Sequence, residues 1–250
     1  MRIIHISDLH ITDNGKPIWG VDTLRNLNLI LERVRKIKDI DAIFLTGDIA
    51  DDGNIWAYQY VDKKMYELGI PTYVCPGNHD WIPTLMDNMK HCRFESQVDI
   101  KGWKFVVLDS TVIDEMSPNK NRARGFLKDD DYSLINELAS NSSMPITIVL
   151  HHSPIEPGEW MNKKLLEDRD RFRNFIVKYD NVKMVMFGHV HYAMKIVLDN
   201  ILYVSAPSTG FAFNPKLPKY EIDYGSEGFN IIDVDGTSIN VIAESMKLSK

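Results

Sequence analysis

Short apolar runs alternate along the chain with longer amphipathic stretches, the pattern of an α/β protein. The runs predict strands over Arg2–Ser7, Ala42–Thr46, Thr72–Cys75, Phe105–Asp109, Thr147–Leu150, Lys183–Phe187, Ile201–Ser205 and Phe229–Val234. Helical spacing of Leu24, Leu27, Leu31 and Val34 predicts a helix over about Thr23–Ile37, with Asp22 as its N-cap. Ile55, Tyr58, Val61, Met65 and Leu68 predict a second over Ile55–Leu68, between an Asn54 cap and a Gly69 stop. Two more are predicted at about Asp130–Ala139 and Lys163–Tyr179; the charge run EDRDRFR in the latter reads as a solvated face. Met65, Met184 and Met186 read as core filler. Glu115–Arg124 and Pro207–Tyr224 read as surface loops, and residues 1–250 as one domain in which 206–250 shapes a pocket or a dimer contact.

The chemistry gathers where the predicted strands stop. Asp8-Leu9-His10, Gly47-Asp48, Gly77-Asn78-His79-Asp80, His151-His152 and Gly188-His189-Val190-His191 each follow an apolar run on its C-terminal side. In open α/β sheets the ligand crevice lies at the carboxyl ends of the strands, and five such coincidences are improbable by chance. Side chains two apart in an extended segment point the same way, so Asp8 with His10, and His189 with His191, are each expected to meet at one point. The remaining histidines, His5 and His91, read as core or surface residues.

Imidazole, carboxylate and amide donors without thiolate favour Mn, Fe or Zn over Ca or Mg. Two divalent cations set against Asp8 and Asp48 leave a positive balance that suits a hydroxide and a phosphate anion. Composition narrows the partner. The 250 residues carry 29 Lys and Arg against 35 Asp and Glu, a net charge of −6, so a long nucleic acid is a poor expectation. Cys75 and Cys92 show no framework or CxxC spacing and read as reduced thiols of a cytoplasmic protein. The N-terminus runs straight into a strand pattern, and no stretch is long and apolar enough for a membrane span.

In order, the blocks DLH, GD, GNHD, HH and GHVH resemble the calcineurin-like metallophosphoesterases, over the interval from Asp8 to His191. The resemblance implies a four-layer αββα sandwich, two mixed β-sheets flanked by helices, with a dinuclear site at one edge. It implies one metal on Asp8, His10, Asp48 and His191 and a second on Asp48, Asn78, His151 and His189, with Asp48 bridging. It implies that His79 meets the phosphate and helps the leaving group depart, and that Asp80 orients His79 or its loop. The stretches TGDIADDGN, PTYVCPGNHD, LHHSPI, GHVH, APSTGFAF and EGFNIIDVDG are similar to the bacterial class III cyclic nucleotide phosphodiesterases. Many of those have two prolines where Ser153-Pro154 stands here, which leaves His151 and His152 both open as ligand; His151, directly after the strand, is preferred.

The expected reaction is hydrolysis of a small phosphodiester, a 3′,5′-cyclic nucleotide first, by a hydroxide activated between two cations. A glycerophosphodiesterase, phosphomonoesterase or nuclease on the same site is the alternative, and a non-catalytic metal-binding scaffold ranks last. Expected substrate contacts are Asn78, His79, His152 and Phe211. Phe211, Phe213 and Trp19 each read equally well as a base-stacking ring or as packing, while Arg122 and Arg124 read as a solvated loop. A homodimer is left open.

Overall fold

The computed structural model describes residues 1–114, 123–157, 164–214, 217 and 219–246. The first sheet contains β1 (Arg2–Ile6), β2 (Ala42–Thr46), β3 (Thr72–Cys75), β10 (Gly228–Asp235) and β11 (Ser238–Ser245), in the order β11-β10-β1-β2-β3. The second contains β4 (Gln97–Ile100), β5 (Trp103–Val107), β6 (Ile146–Val149), β7 (Val182–Phe187), β8 (Met194–Leu198) and β9 (Ile201–Ser205), in the order β4-β5-β6-β7-β9-β8. Both sheets are mixed. β1, β2 and β3 run parallel in one, and β5, β6, β7 and β9 in the other, with antiparallel strands at the flanks.

Alternate side chains of each central strand serve different layers, which explains why these strands read as unbroken apolar runs. Phe44, Met184 and Met186 pack between the sheets with Phe105, Val149 and Val204. Ile43 and Leu45 turn instead to α1 (Thr23–Val34) and α2 (Ile55–Leu68). Val185 and Phe187 turn to α4 (Asp129–Ser140) and α5 (Arg169–Ile176). The result is the four-layer αββα sandwich. His5 sits inside it, fully buried, its Nε2 2.9 Å from Thr46 Oγ1, and burial pushes its imidazole down to about 3.

Three helices differ from the sequence expectation. The first helix tightens after Val34 into i→i+3 bonds, Arg33 O accepting from Lys36 N and Val34 O from Ile37 N. The helix expected over Lys163–Tyr179 begins only at Arg169, and residue 163 lies outside the described residues. Its would-be first turn is used elsewhere: Gly125 N donates to Leu165 O, Leu166 N to Ser153 O and Glu167 N to Gly125 O. A short helix, α3 (Ile82–Asn88), follows the β3 loop.

α2 braces that loop. Tyr58 Oη donates to Asp80 Oδ1 at 3.2 Å and accepts from Trp81 N at 2.9 Å. At its middle, buried Asp62 accepts from His91 N, Cys92 N and His91 Nδ1 at 2.9, 3.0 and 2.7 Å. Burial alone would raise the Asp62 carboxyl, but these donors hold it below its ordinary value. The stabilisation is therefore present above the ordinary carboxylate range and lost as pH falls through the folded-state value. Asp62→Ala is expected to cost about 1–3 kcal/mol at neutral pH, from orphaned donors. Urea unfolding at pH 7 and at about pH 3 checks it: the gap between wild type and variant should shrink in acid.

Candidate metal centre

The five blocks lie together at the carboxyl ends of β1, β2, β3, β6 and β7. Asp8, His10, Asp48, His189 and His191 all have positive φ, between 46° and 70°. Such backbone is sparsely populated for residues with side chains and collects at functional sites. Glycines let the loops close. A Cβ on Gly77 would lie 2.2 Å from Asp48 Oδ1, and one on Gly188 would lie 1.9 Å from Ser7 Oγ.

Donor atoms converge into two neighbouring clusters, and His10, Asp51 and His79 form a third set beside them. Asp8, His10, Asp48 and His191 form one. In it His10 Nε2 lies 3.1 Å from His191 Nε2 and 3.5 Å from Asp48 Oδ2, while His191 Nε2 is 3.5 Å from Asp8 Oδ1. In the other, His151 Nε2 lies 3.2 Å from Asn78 Oδ1, 3.2 Å from His189 Nδ1 and 3.4 Å from Asp48 Oδ2. Asp48 Oδ2 thus stands between an imidazole of each cluster, and its Oδ1 accepts from His79 N at 2.8 Å.

The second nitrogen of each imidazole settles what the first can do. His10 Nδ1 faces Asp51 Oδ1 at 2.9 Å, His191 Nδ1 faces Phe211 O at 2.8 Å, His151 Nδ1 faces Thr46 O at 2.7 Å, and His189 Nε2 faces Lys164 O at 2.5 Å. A nitrogen facing a carbonyl or carboxylate carries the proton, so the neutral ring's inward nitrogen offers a lone pair. Two such lone pairs 3.1 or 3.2 Å apart need a positive charge between them. Titration agrees. Burial disfavours charge on all four, yet Asp48 and Asp8 push His151 up to about 9, and Asp51, Asp48 and Asp8 raise His10. Their facing partners His189 and His191 are held well below the ordinary value by burial and by neighbouring imidazoles. Asp48, despite burial, is kept ionised by His151, His79 and His10, whereas burial raises Asp8 to about 6. A pair of ionised carboxylates, an amide oxygen and four imidazole lone pairs, all on buried side chains, fit a pair of divalent cations.

One pair of histidines departs from what their spacing predicts. His189 and His191 do not meet at one point, because positive φ at both replaces the extended geometry that spacing assumes. His189 turns to His151 and His191 to His10. Asp80 is fully buried and accepts from Ile49 N, Ala50 N and Gly77 N at 3.0, 3.1 and 2.9 Å, tying the Asp48 loop to the His79 loop. His152 is fully buried, its Nδ1 2.8 Å from Ser110 Oγ, and it offers a nitrogen within 4.8 Å of those of His151 and His189. Phe211 does line the pocket but is only 2% exposed. Arg124 pairs with Glu167 at 3.3 Å, and Arg122 lies outside the described residues.

Asp51 escaped the sequence reading. Its carboxylate holds His10, and its carbonyl oxygen lies 2.8 Å from His79 Nδ1. Nothing in the run Asp51-Asp52 marks one acid over the other. Lys164, which lines the pocket and whose carbonyl holds His189, carried no signal either. Cys75 and Cys92 are buried free thiols that burial pushes upward, outside the donor set.

Residues 1–193 match the calcineurin-like phosphoesterase family. The chain belongs to that family. It is a metal-dependent phosphoesterase, with His/Asp clusters suited to a dimetal site. It is 28% identical to a 3′,5′-cyclic-nucleotide phosphodiesterase of Nostoc sp., over 95% of this chain and 90% of that protein. A probable cyclic nucleotide phosphodiesterase of Vesicomyosocius okutanii is 32% identical over 85% of this chain and 88% of its own length. Among solved structures, a dimetal phosphatase from Danio rerio shares the fold at a TM-score of 0.72 and 12% identity, covering 92% of this chain and 91% of its own. No helix among the described residues is long and apolar enough to cross a membrane.

Proposed function

We propose that this phosphoesterase hydrolyses 3′,5′-cyclic nucleotides at a dinuclear centre. One ion would be held by Asp8, His10, Asp48 and His191, the other by Asp48, Asn78, His151 and His189. The observation that carries the reading is Asp48 Oδ2, 3.5 Å from His10 Nε2 and 3.4 Å from His151 Nε2, placed to be shared by both ions. The names of the relatives from Nostoc and Vesicomyosocius supply the substrate class. Between His151 and His152 the ligand is His151, since only its Nε2 approaches both Asn78 and Asp48.

When bound, the two ions supply a water of lowered pKa and neutralise charge on the phosphate oxygens. The donor set favours Mn, Fe or Zn. The chain's own part is orientation. Thr46 O, Phe211 O, Lys164 O and Asp51 fix the four imidazoles with lone pairs inward. Asp80 fixes the two loops that bring Asp48, Asn78 and His79 together. His79 lines the pocket with its Nδ1 against Asp51 O, and it passes a proton or hydrogen bond to the departing oxygen.

Metal analysis together with turnover in excess Mn²⁺ tests the reading. The expected result is bound metal and preferential hydrolysis of 3′,5′-cyclic AMP over a glycerophosphodiester, an aryl phosphomonoester and single-stranded DNA. Preferred turnover of any of the others moves the substrate class, and a metal-loaded protein inert on all four overturns the proposal. Asp51→Asn is expected to weaken Mn²⁺ binding about 10–100-fold, by loosening His10. Calorimetric titration of the metal-free protein checks that.

A further inference from the structure

Three rings lead outward from the donor clusters. Phe211 packs against His10 and His191, with centroids 4.8 and 4.7 Å apart, and Trp19 packs on Phe211 at 5.1 Å. Phe213 lies behind, 6.2 Å from Trp19, and with Val21 and Phe211 forms a small apolar cluster. Phe211 and Phe213 are sealed at 2% and 4% exposure, so neither offers a ring face to a ligand. Trp19 is 61% exposed and lines the same pocket, about 230 Å³ in volume, as His79 and His10.

The backbone beneath Trp19 is notable for the residue it carries. Ile18 and Val21 exchange backbone hydrogen bonds at 3.0 and 2.8 Å around a two-residue hairpin turn, with Trp19 at φ 50° and Gly20 at φ 79°. Such turns favour Asn, Asp or Gly in the first central position, and a bulky ring there is strained. Strained residues with large exposed apolar surface, set at a pocket mouth, point to recognition rather than to folding.

We propose that Trp19 is the platform on which the substrate's nucleobase stacks while its phosphate lies at the donor clusters. The inference rests on the cyclic-nucleotide reading and deepens it by naming the residue that tells a nucleotide from a small aliphatic diester. Stacking on an indole face accepts any base and makes no hydrogen-bond readout, so adenine and guanine nucleotides should both profit. Phe211 and Phe213 act beneath it as the support that keeps the indole at the mouth.

The test uses the full-length, manganese-loaded protein and its Trp19→Ala and Trp19→Phe variants, titrated calorimetrically with adenosine 5′-monophosphate and, separately, with inorganic phosphate. Trp19→Ala should weaken the nucleotide about 10-fold, the size of one lost base–aromatic stack, while phosphate binding holds and Trp19→Phe recovers most of the loss. For 3′,5′-cyclic AMP the loss should fall on KM rather than kcat. Equal weakening of nucleotide and phosphate, or no weakening of either, overturns the proposal. If the wild type hydrolyses no cyclic nucleotide, the functional reading fails by that result alone. The difference between nucleotide and phosphate binding still decides the role of Trp19.

Discussion

Asp48→Ala is expected to lower bound manganese from a pair of ions to less than about one per chain, and kcat/KM on the order of 10³-fold. Asp48 faces an imidazole nitrogen in each cluster. Its Oδ2 lies within 3.5 Å of His10 Nε2 and 3.4 Å of His151 Nε2, and its Oδ1 takes the backbone proton of His79. Removing it strips each cluster of a negative ligand and frees the loop that carries Asn78. Thermal unfolding gives a second reading by mass action: manganese should raise the Tm of the wild type and hardly move that of the variant. Asp48→Asn separates charge from shape, because an amide oxygen can still accept from His79 N while the shared negative charge is gone. A variant with full metal occupancy and normal turnover would sink the dinuclear assignment.

The parts of this site that the sequence declares are the ones written in side chains at strand ends. β1, β2, β6 and β7 are buried on both faces, so their apolar runs are continuous and the polar blocks behind them stand out. Three of the four edge strands are quieter. β4, β8 and β11 are half exposed, with Val197 at 63% and Ile242 at 44%, and their mixed polar pattern gives no unbroken apolar run. α3 has seven residues and a proline in its first turn, too short for a helical stripe to show. Within the site, the limit is backbone conformation. The family pattern assigns His189 and His191 to different ions, whereas spacing alone brings them together. Only the positive φ values at both residues explain why the side chains diverge. The carbonyls of Thr46, Phe211 and Lys164 that set the imidazole tautomers leave no trace in residue identity, since every residue has one.

His79→Ala is expected to cost about 10²–10⁴-fold in kcat on diesters with alkyl leaving groups, and far less on activated aryl esters. His79 differs from the other imidazoles of the site in being open to the pocket: its side chain is 30% exposed, against 7% or less for His10, His151 and His191. Its Nδ1 is committed to Asp51 O, and its ring stands edge-on to His10 with centroids 4.7 Å apart, so its orientation is fixed before substrate arrives. With the proton of Nδ1 held there, Nε2 carries one only in the imidazolium, the form that can protonate a departing oxygen. A ribose alkoxide is strongly basic and needs that proton; an aryl oxide leaves without it. The dependence of log kcat on leaving-group basicity should therefore steepen in the variant, while metal content stays at the wild-type level. Equal losses on alkyl and aryl substrates would assign His79 to binding the phosphate alone, and leave proton delivery to solvent.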